Sequence, residues 1–179
     1  MKLKDLIHLK GEVLIQTVNE KGELATIVDD KNLIVSGGRE NICSFLTHTG
    51  TSSYIYDVFF GSGGTVVGNS NVALPVASTD TNVNVRIDAI PDQDYTFTVQ
   101  AETTPSPRAV FSIVIPTFAP AAYLNSGHPS YTSSLNGKAI SEIALMLNTS
   151  TPVAFAIKRF PSISKSDLVS IIITWTIFV

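Results

Sequence analysis

Residues Leu168–Val179 read LVSIIITWTIFV, and their alternation is the strongest structural signal in the sequence. Every odd-numbered position is apolar, whereas the even-numbered positions mix Leu168, Ile172 and Phe178 with serine and threonine. A period of two is typical of a β-strand with one buried face, and β-branched and aromatic residues suit a pleated sheet. Because no charge interrupts the twelve residues, we expect a central strand with Trp175 buried in the core. The second face, with Ile172 and Phe178, then needs a neighbour, since an exposed apolar edge aggregates.

Period-two patterns recur along the chain and predict a mainly β protein. They cover Glu12–Asn19, Leu24–Val28, Tyr54–Phe60, Asn82–Ala89, Tyr95–Ala101, Arg108–Ile115, Ile140–Leu147 and Ala154–Phe160. The first two flank a turn-forming sequence, Asn19-Glu20-Lys21-Gly22, which predicts an N-terminal hairpin over residues 11–28. Many short strands separated by Gly, Pro and Asn are typical of an antiparallel β-sandwich, and we expect a jelly-roll-like one.

One helix is predicted, over about residues 37–48. Ser36 can cap its N-terminus, and Ile42, Phe45 and Leu46 share one face at helical spacing. Gly50 can end it. A helix this short is marginal alone, so we expect it to cover one end or one face of the sandwich.

The length of 179 residues fits a single domain over residues 1–179. Residues 117–137 lie between two predicted strands and contain two prolines and two glycines. We predict a long loop there, and loops of that length are usually functional or flexible.

The charge balance excludes several classes of partner. The chain has 12 Lys and Arg against 15 Asp and Glu, a net charge of -3, which argues against binding to nucleic acid. No run of 18 apolar residues predicts a membrane helix, and the first residues lack the apolar core of a secretory signal. We therefore expect folding in a cytoplasm. Charged residues are only 15% of the chain, against about 25% in ordinary domains, which predicts contact with another protein subunit.

The sequence contains no motif for catalysis, a metal or a cofactor. His8, His48 and His128 lie far apart, and Cys43 is the only cysteine, so neither a disulfide nor a local metal-ligand spacing exists within the chain. We expect surface histidines, and a Cys43 that is a small buried residue rather than a nucleophile. A Ser-His-Asp triad assembled from distant residues stays open at this point, because triads follow no fixed spacing.

Two further stretches imitate ligand-binding loops. Gly61-Ser62-Gly63-Gly64 lacks the Lys-Ser/Thr that completes a phosphate-binding loop, so we interpret it as a tight connection after a strand. Asp80-Thr81-Asn82 resembles the start of a calcium loop, but Val85 stands where that loop needs glycine. We therefore expect a strand with outward polar residues.

A basic cluster formed by Lys158, Arg159 and Lys165 precedes the last strand. It can face an acidic partner, or it can be a solvated turn. With Ile172 and Phe178, Lys158 and Arg159 are the residues that the sequence offers as a protein interface.

The order of four motifs resembles that of small structural proteins of tailed bacteriophages. An NLIV segment before a short helix is Asn32–Glu40, and a strand ending in a Gly-rich turn is Val58–Gly64. An "I.E..L" strand is Ile140–Leu145, and a basic-Phe-Pro turn followed by a Trp-containing strand is Lys158–Val179. The resemblance spans nearly the whole chain. It implies a non-enzymatic virion protein of the capsid, neck, tail or fibre, without choosing among them.

We therefore expect a virion structural protein, assembled in the host bacterial cytoplasm, that decorates or cements the capsid or attaches at the neck or tail. Its expected partners are itself, as a trimer, and virion proteins such as the major capsid, portal or tail protein, with no nucleic acid, membrane or cofactor. The alternative is a carbohydrate-binding or receptor-binding fibre module whose stacking faces come from Tyr54, Tyr56, Tyr95, Tyr123 and Tyr131. A hydrolase with a triad assembled by the fold is the third hypothesis.

Overall fold

The computed structural model describes residues 9–48, 53–87, 95–103, 107–117 and 135–178. These residues form one helix, α1 (Ser36–Thr47), and ten strands. In chain order the strands are β1 (Lys10–Val18), β2 (Leu24–Ile34), β3 (Ile55–Gly61), β4 (Thr65–Val66), β5 (Asn69–Ala73), β6 (Thr96–Glu102), β7 (Arg108–Ile115), β8 (Ala139–Leu147), β9 (Val153–Ser164) and β10 (Ser170–Phe178).

Eight of these strands form one antiparallel sheet in the order β3-β8-β9-β2-β1-β10-β7-β6. The sheet changes partner at β2, which pairs with β1 over Leu24–Asn32 and with β9 through Leu33 and Ile34. We call β1, β10, β7 and β6 the front layer, and β9, β8 and β3 the back layer. The two layers pack face to face, so the predicted antiparallel β-sandwich with one short helix is confirmed. Its jelly-roll character lies in the first hairpin, which pairs with the last two strands, β1 with β10 and β2 with β9.

The main core lies between the two layers. Its members include Val13, Ile15, Phe111, Ile113, Ile173 and Trp175 from the front layer, and Val58, Phe60, Ile143, Leu145, Phe155 and Phe160 from the back layer. β10 is central, between β1 and β7, and its residues 171, 173, 175 and 177 are all buried. Trp175 is fully buried, as the alternation predicts.

A second, smaller core lies on the other face of the back layer. Phe59, Ala144, Met146, Ala154 and Ile157 pack there against Val35 and Val83. The hairpin of β4 and β5 contacts β9 on this side. As a result the back layer is buried on both faces, and β8 is buried continuously from residue 140 to residue 147.

The strand predicted over Asn82–Ala89 is wrong for its described part. Residues 82–87 form bends, with a single bridge between Arg86 and Gly61, and residues 88 and 89 lie outside the described residues. The physical reason is that the backbone N–H groups of this segment have a side-chain acceptor. The N–H groups of Asn84 and Val85 donate to the Glu142 carboxylate instead of to a neighbouring strand.

The helix begins one residue earlier than predicted. Val35 occupies the N-cap position without a side-chain cap, so the prediction that Ser36 caps the helix is wrong. The start of the helix lies against β9, where a Cβ on Gly38 would be 2.3 Å from the Phe155 carbonyl oxygen. His48, with a positive φ of 53°, ends the helix; Gly50 lies outside the described residues.

The predicted N-terminal hairpin is confirmed, with its second strand extended to Ile34. Asn19 organises the turn, since its side-chain oxygen accepts hydrogen bonds from the backbone N–H groups of Lys21 and Glu23. Gly22 has a φ of 78°, a conformation that favours glycine. Of the predicted 117–137 loop, only residue 117 and residues 135–137 are described.

Candidate docking surface

The even-numbered side chains of β10 point away from the core and form the centre of an outward face. Strand register extends this face in two rows, one of Gln16, Ile172, Val114 and Thr96, and one of Leu14, Thr174, Ser112 and Thr98. Thr176, Val110 and Phe178 continue it toward the end of β10. We call these residues the outward face of the front layer.

One half of this face is uncharged. The two rows through Ile172 and Thr174 contain only hydroxyl, amide and aliphatic side chains, whereas the next two rows along β10 also contain Glu12, Lys10, Arg108 and Glu102. Two of these charges, Arg108 and Glu102, are paired with each other. The cores of protein interfaces are depleted of charged residues in the same way, whereas surfaces that bind phosphates need clustered cations.

No described element covers the outward face. Its apolar members Leu14, Val110, Val114, Ile172 and Phe178 are half-buried and belong to neither hydrophobic core. This contrasts with the back layer, where the described segment 62–87 covers the second face. Within the described residues, the apolar and hydroxyl side chains of this part of the front layer are therefore left without a cover.

Ile172 and Phe178 lie on this face, but Lys158 does not. Lys158 lies in β9, where its Nζ donates to Asp30 Oδ2 at 2.7 Å and to the Lys31 carbonyl oxygen at 2.8 Å. The hydrogen bond from Lys158, together with the backbone N–H of Lys31, holds the pKa of Asp30 below its ordinary value of 3.8. Lys158 thus joins β9 to β2 at the point where the sheet folds over.

Arg159 is buried, and its partners belong to the same chain. Its Nε donates to Glu142 Oε2 at 3.1 Å, and its Nη1 donates to the Pro75 carbonyl oxygen and pairs with Asp80. Its Nη2 donates to Asn84. The interpretation of Lys158 and Arg159 as a solvated turn is therefore wrong, because both residues lie in β9 and their acidic partners are the chain's own carboxylates.

Lys165 lies just after β9 and is also buried. Its Nζ donates to Asn136 Oδ1 at 2.7 Å and to the Ser166 carbonyl oxygen at 2.6 Å. The three cations of the basic cluster therefore contact different parts of the chain and form no common patch.

Glu142 is the structural centre that the sequence analysis missed. Its Oε1 accepts hydrogen bonds from the backbone N–H groups of Gly63, Asn84 and Val85 at 2.8 to 3.2 Å, and its other oxygen faces Arg159. The carboxylate thus anchors segment 62–87 over the back layer. A polar Ser-Glu pair inside the apolar strand β8 was the signal that could have revealed it, since a buried carboxylate needs several donors.

The Gly61–Gly64 run connects a strand to a loop, as predicted. A Cβ on Gly64 would lie 2.2 Å from the Ser141 carbonyl oxygen, so only glycine fits this approach. The Gly64 N–H donates to Ser141 Oγ. The run therefore binds the chain's own strand β8.

A second surface feature is an apolar pocket of about 250 Å³ between α1 and the end of the sandwich. The helix residues Ile42, Phe45 and Leu46 line one side, and Phe111 and Ile177 are among those lining the other. Phe45 and Leu46 are 70% and 59% exposed. The lining is wholly apolar, whereas small-molecule sites usually add a few polar groups that orient the ligand.

Within the residues that the structure describes, no group of three His, Cys, Asp or Glu could hold a metal ion. His48 is exposed, and His8 and His128 lie outside the described residues. Cys43 is exposed too, so the prediction of a buried Cys43 is wrong. Its neighbour Ile42 is the residue that packs against the core.

The described part of the chain contains no helix long and apolar enough to cross a membrane.

Of the five tyrosines that could stack on a sugar, Tyr54 is 69% exposed and Tyr56 is half-buried. Tyr95 is buried, where its hydroxyl donates to the Asp57 carboxylate and lies 3.1 Å from the Val58 carbonyl oxygen. Tyr123 and Tyr131 lie outside the described residues. Tyr54 is therefore the described tyrosine with an open ring face.

Comparison of the chain with family models, curated proteins and solved structures gives no match.

Proposed function

We propose that this chain is a non-enzymatic structural protein of a bacteriophage virion, assembled in the host cytoplasm, with the outward face of the front layer as its docking surface. Its role is to decorate or cement the capsid, or to attach at the neck or tail. The partners are other virion proteins, such as the major capsid, portal or tail protein, and further copies of the chain itself.

The observation that supports this proposal most is the difference in how the second face of each layer is covered. The back layer has its second face covered by described parts of the same chain, whereas the second face of the front layer keeps Ile172, Val114 and Phe178 outside both cores. A sheet that faces water on one side normally carries polar and charged residues there. The two rows through Ile172 and Thr174 lack charge, which favours a protein cover over that part of the face.

The size of the face sets the strength of the expected contact. Four strands spaced about 4.8 Å apart, with a central strand of nine residues, give a surface of roughly 19 by 30 Å, about 570 Å². A standard stable interface buries about 800 Å² per partner. The face alone therefore predicts a modest contact, which repetition of identical copies on a particle strengthens through multivalency.

Incorporation into particles tests the proposal. A phage that lacks this gene is complemented with tagged wild-type chain, with Ile172→Lys, or with the matched exposed control Val72→Lys on β5, and virions are purified on density gradients. We expect the tag in virions for the wild type and for Val72→Lys, and its loss for Ile172→Lys. A wild-type chain that stays in the lysate and never enters virions would contradict the proposal.

The alternative is a carbohydrate-binding fibre module, and Tyr54 is the observation that favours it. Its ring is 69% exposed, and Asn148 Nδ2 donates to its hydroxyl at 2.8 Å. An aromatic face beside an amide is a suitable surface for a sugar. A glycan array separates the alternatives: binding that Tyr54→Ala abolishes supports the fibre module, and no binding leaves the docking proposal as the better account.

A further inference from the structure

The two edges of the eight-stranded sheet are protected differently. β3 is one edge, and the chain itself covers it. The Ile87 N–H donates to the Phe60 carbonyl oxygen at 3.0 Å, Arg86 forms a bridge with Gly61, and the Tyr95 hydroxyl approaches Val58. Val58, Phe60 and Gly61 of this edge therefore have partners in the chain.

The other edge is β6, with the sequence TFTVQAE. It pairs with β7 on one side, and among the described residues no strand pairs with its other side. Six of its seven residues are uncharged, and it contains no proline or lysine. Natural proteins place charged residues, above all lysine, and proline on sheet edges to prevent pairing with another chain. Because β6 has few of these residues, its open edge favours pairing with another strand.

Val99 is exposed on the side of β6 that should be buried. Its register partner is Phe111, which is a core residue, so Val99 lies on the inner face of the front layer. Even so, Val99 is 51% exposed. Among the described residues, the inner face of the sandwich therefore has no complete cover at the middle of this edge.

The strand is complementary to itself. In an antiparallel pair centred on Val99, Val99 meets Val99 of the partner subunit and Phe97 meets Ala101 of the partner subunit. On the other face Thr98 meets Gln100 of the partner subunit, and Thr96 meets Glu102 of the partner subunit. Apolar residues then face apolar residues and no like charges meet, which are the conditions that stabilise cross-strand pairs.

We infer that β6 pairs antiparallel with β6 of a second copy, across a two-fold axis at Val99. The contact is isologous and closes at two copies, so it avoids open-ended growth. It gives a dimer, whereas the sequence analysis favoured a trimer. The inference depends on the edge of β6 alone and holds whether or not the chain belongs to a virion.

One consequence does rest on the proposed function. The two-fold axis of an antiparallel strand pair is perpendicular to the sheet, so both copies present their outward faces on the same side. The joined surface spans eight strands, about 38 Å in width. Dimerisation thus doubles the proposed docking surface.

The first test is the molar mass in solution, measured by light scattering after size-exclusion chromatography. We expect the wild type to have twice the chain mass of 19.2 kDa. Val99→Lys places two ammonium groups together at the axis, so its mass should fall to 19.2 kDa with an unchanged circular dichroism spectrum. Val72→Lys is the matched control, because Val72 lies on β5 and is 45% exposed. It should keep the dimer mass.

A cross-linking test covers the case in which Val99→Lys does not fold. The exposed Cys43 is first replaced by serine, and Val99→Cys or Val72→Cys is then introduced. Directly opposite residues in an antiparallel pair have Cβ atoms about 4.5–5.5 Å apart. Mild oxidation should therefore join two Val99→Cys chains by a disulfide in high yield, and the Val72→Cys chains in low yield.

The outcomes separate this inference from the proposed function. A wild type of 19.2 kDa at every accessible concentration overturns it, as does equal cross-linking at positions 99 and 72. Dimers that persist in Val99→Lys but dissociate in Ile172→Lys also overturn it, and instead assign self-association to the outward face. A dimer that depends on Val99 supports the inference even when the chain fails to enter virions.

Discussion

Strands β8 and β10 are both central and both rich in apolar residues, yet the fold uses them differently. β8 is buried at every position from Ile140 to Leu147, whereas β10 alternates between buried and half-buried positions. The second face of β8 offers Ala144, Met146 and the carboxylate of Glu142, on which a loop is anchored. The second face of β10 offers threonines with Ile172 and Phe178, and no described segment covers it. The two strands differ less in apolar content than in the presence of a buried carboxylate. The strand face that carries this carboxylate is the one that another segment of the same chain covers.

The Glu142–Arg159 pair explains how segment 62–87 is held over the back layer. Replacing a buried ion pair by apolar residues is often neutral for stability, but breaking such a pair is costly. Here the carboxylate and the guanidinium also bind the backbone at Gly63, Asn84 and Pro75. The pair therefore fixes the path of segment 62–87 and thereby completes the second core.

The largest expected effect separates the two faces of β10. Ile173→Lys buries an ammonium group in the main core, and the cost of an unpaired buried charge is comparable to the whole stability of a domain. We expect this variant to lose its cooperative unfolding transition in urea. Ile172→Lys, one residue away on the outward face, should unfold within about 1 kcal/mol of the wild type. Equal damage by both would show that the outward face is covered.

Trp175→Ala is the next largest effect. The side chain is fully buried, and truncation of a buried tryptophan costs about 3–5 kcal/mol in the free energy of unfolding. Thr174→Ala, at the neighbouring half-buried position, is the matched control and should cost less than about 1 kcal/mol. Urea unfolding followed by circular dichroism measures both. The native fluorescence of Trp175 should be blue-shifted, and a maximum like that of free indole would argue against burial.

Glu142→Gln tests the anchor of the back layer. It removes one of the two carboxylates that lie 3.1 Å from Arg159 and leaves Asp80 as its counter-charge, so we expect a loss of about 1–3 kcal/mol. Amide hydrogen exchange should rise within residues 62–87 and stay unchanged in β10. The control Glu12→Gln changes an exposed carboxylate and should have little effect. An equal rise in amide hydrogen exchange throughout the molecule would mean that Glu142 supports the whole fold instead.

The smallest expected effect concerns Asp30 and Lys158, at the fold of the sheet. Because the folded-state pKa of Asp30 is lowered by Lys158, its contribution to stability is present above pH 3.8 and is lost as the pH falls through the lowered pKa. The carboxylate is mostly exposed, so Asp30→Asn should cost only a few tenths of a kcal/mol at neutral pH. The difference from wild type should disappear in acid. The control Asp29→Asn leaves the Lys158 pair intact; a difference that grew in acid would contradict the assignment.

Most strands of both layers could be predicted from sequence, whereas the contacts between distant segments could not. Alternation located β1, β7 and β10 and assigned Trp175 to the core, because a period of two is a local property. The anchor at Glu142 depends on Gly63, Asn84 and Val85, which are 57 to 79 residues away in the chain. The same limit explains Asn82–Ala89, whose alternation resembles a strand although its N–H groups bind a distant carboxylate.

The residues of the candidate site also fall into those whose position could be predicted from sequence and those whose position could not. Ile172 and Phe178 lie on the second face of β10, as their positions in the alternation predicted. Lys158 and Arg159 could not be assigned, because the sequence shows their charges without their partners. Asp30 is 128 residues from Lys158, and the Arg159 network draws on Pro75 and Asn84 as well as on Glu142. Cys43 was placed wrongly because a short helix against one end of a sandwich leaves much of its surface open.

Near-atomic electron cryo-microscopy of purified virions tests the central claim most directly. The claim is that the outward face of the front layer docks on another virion protein. We predict density for this chain on the particle, with Ile172 and Phe178 within van der Waals contact of a different protein. A chain whose outward face points to solvent in every copy, or whose density is absent from the particle, would contradict the account.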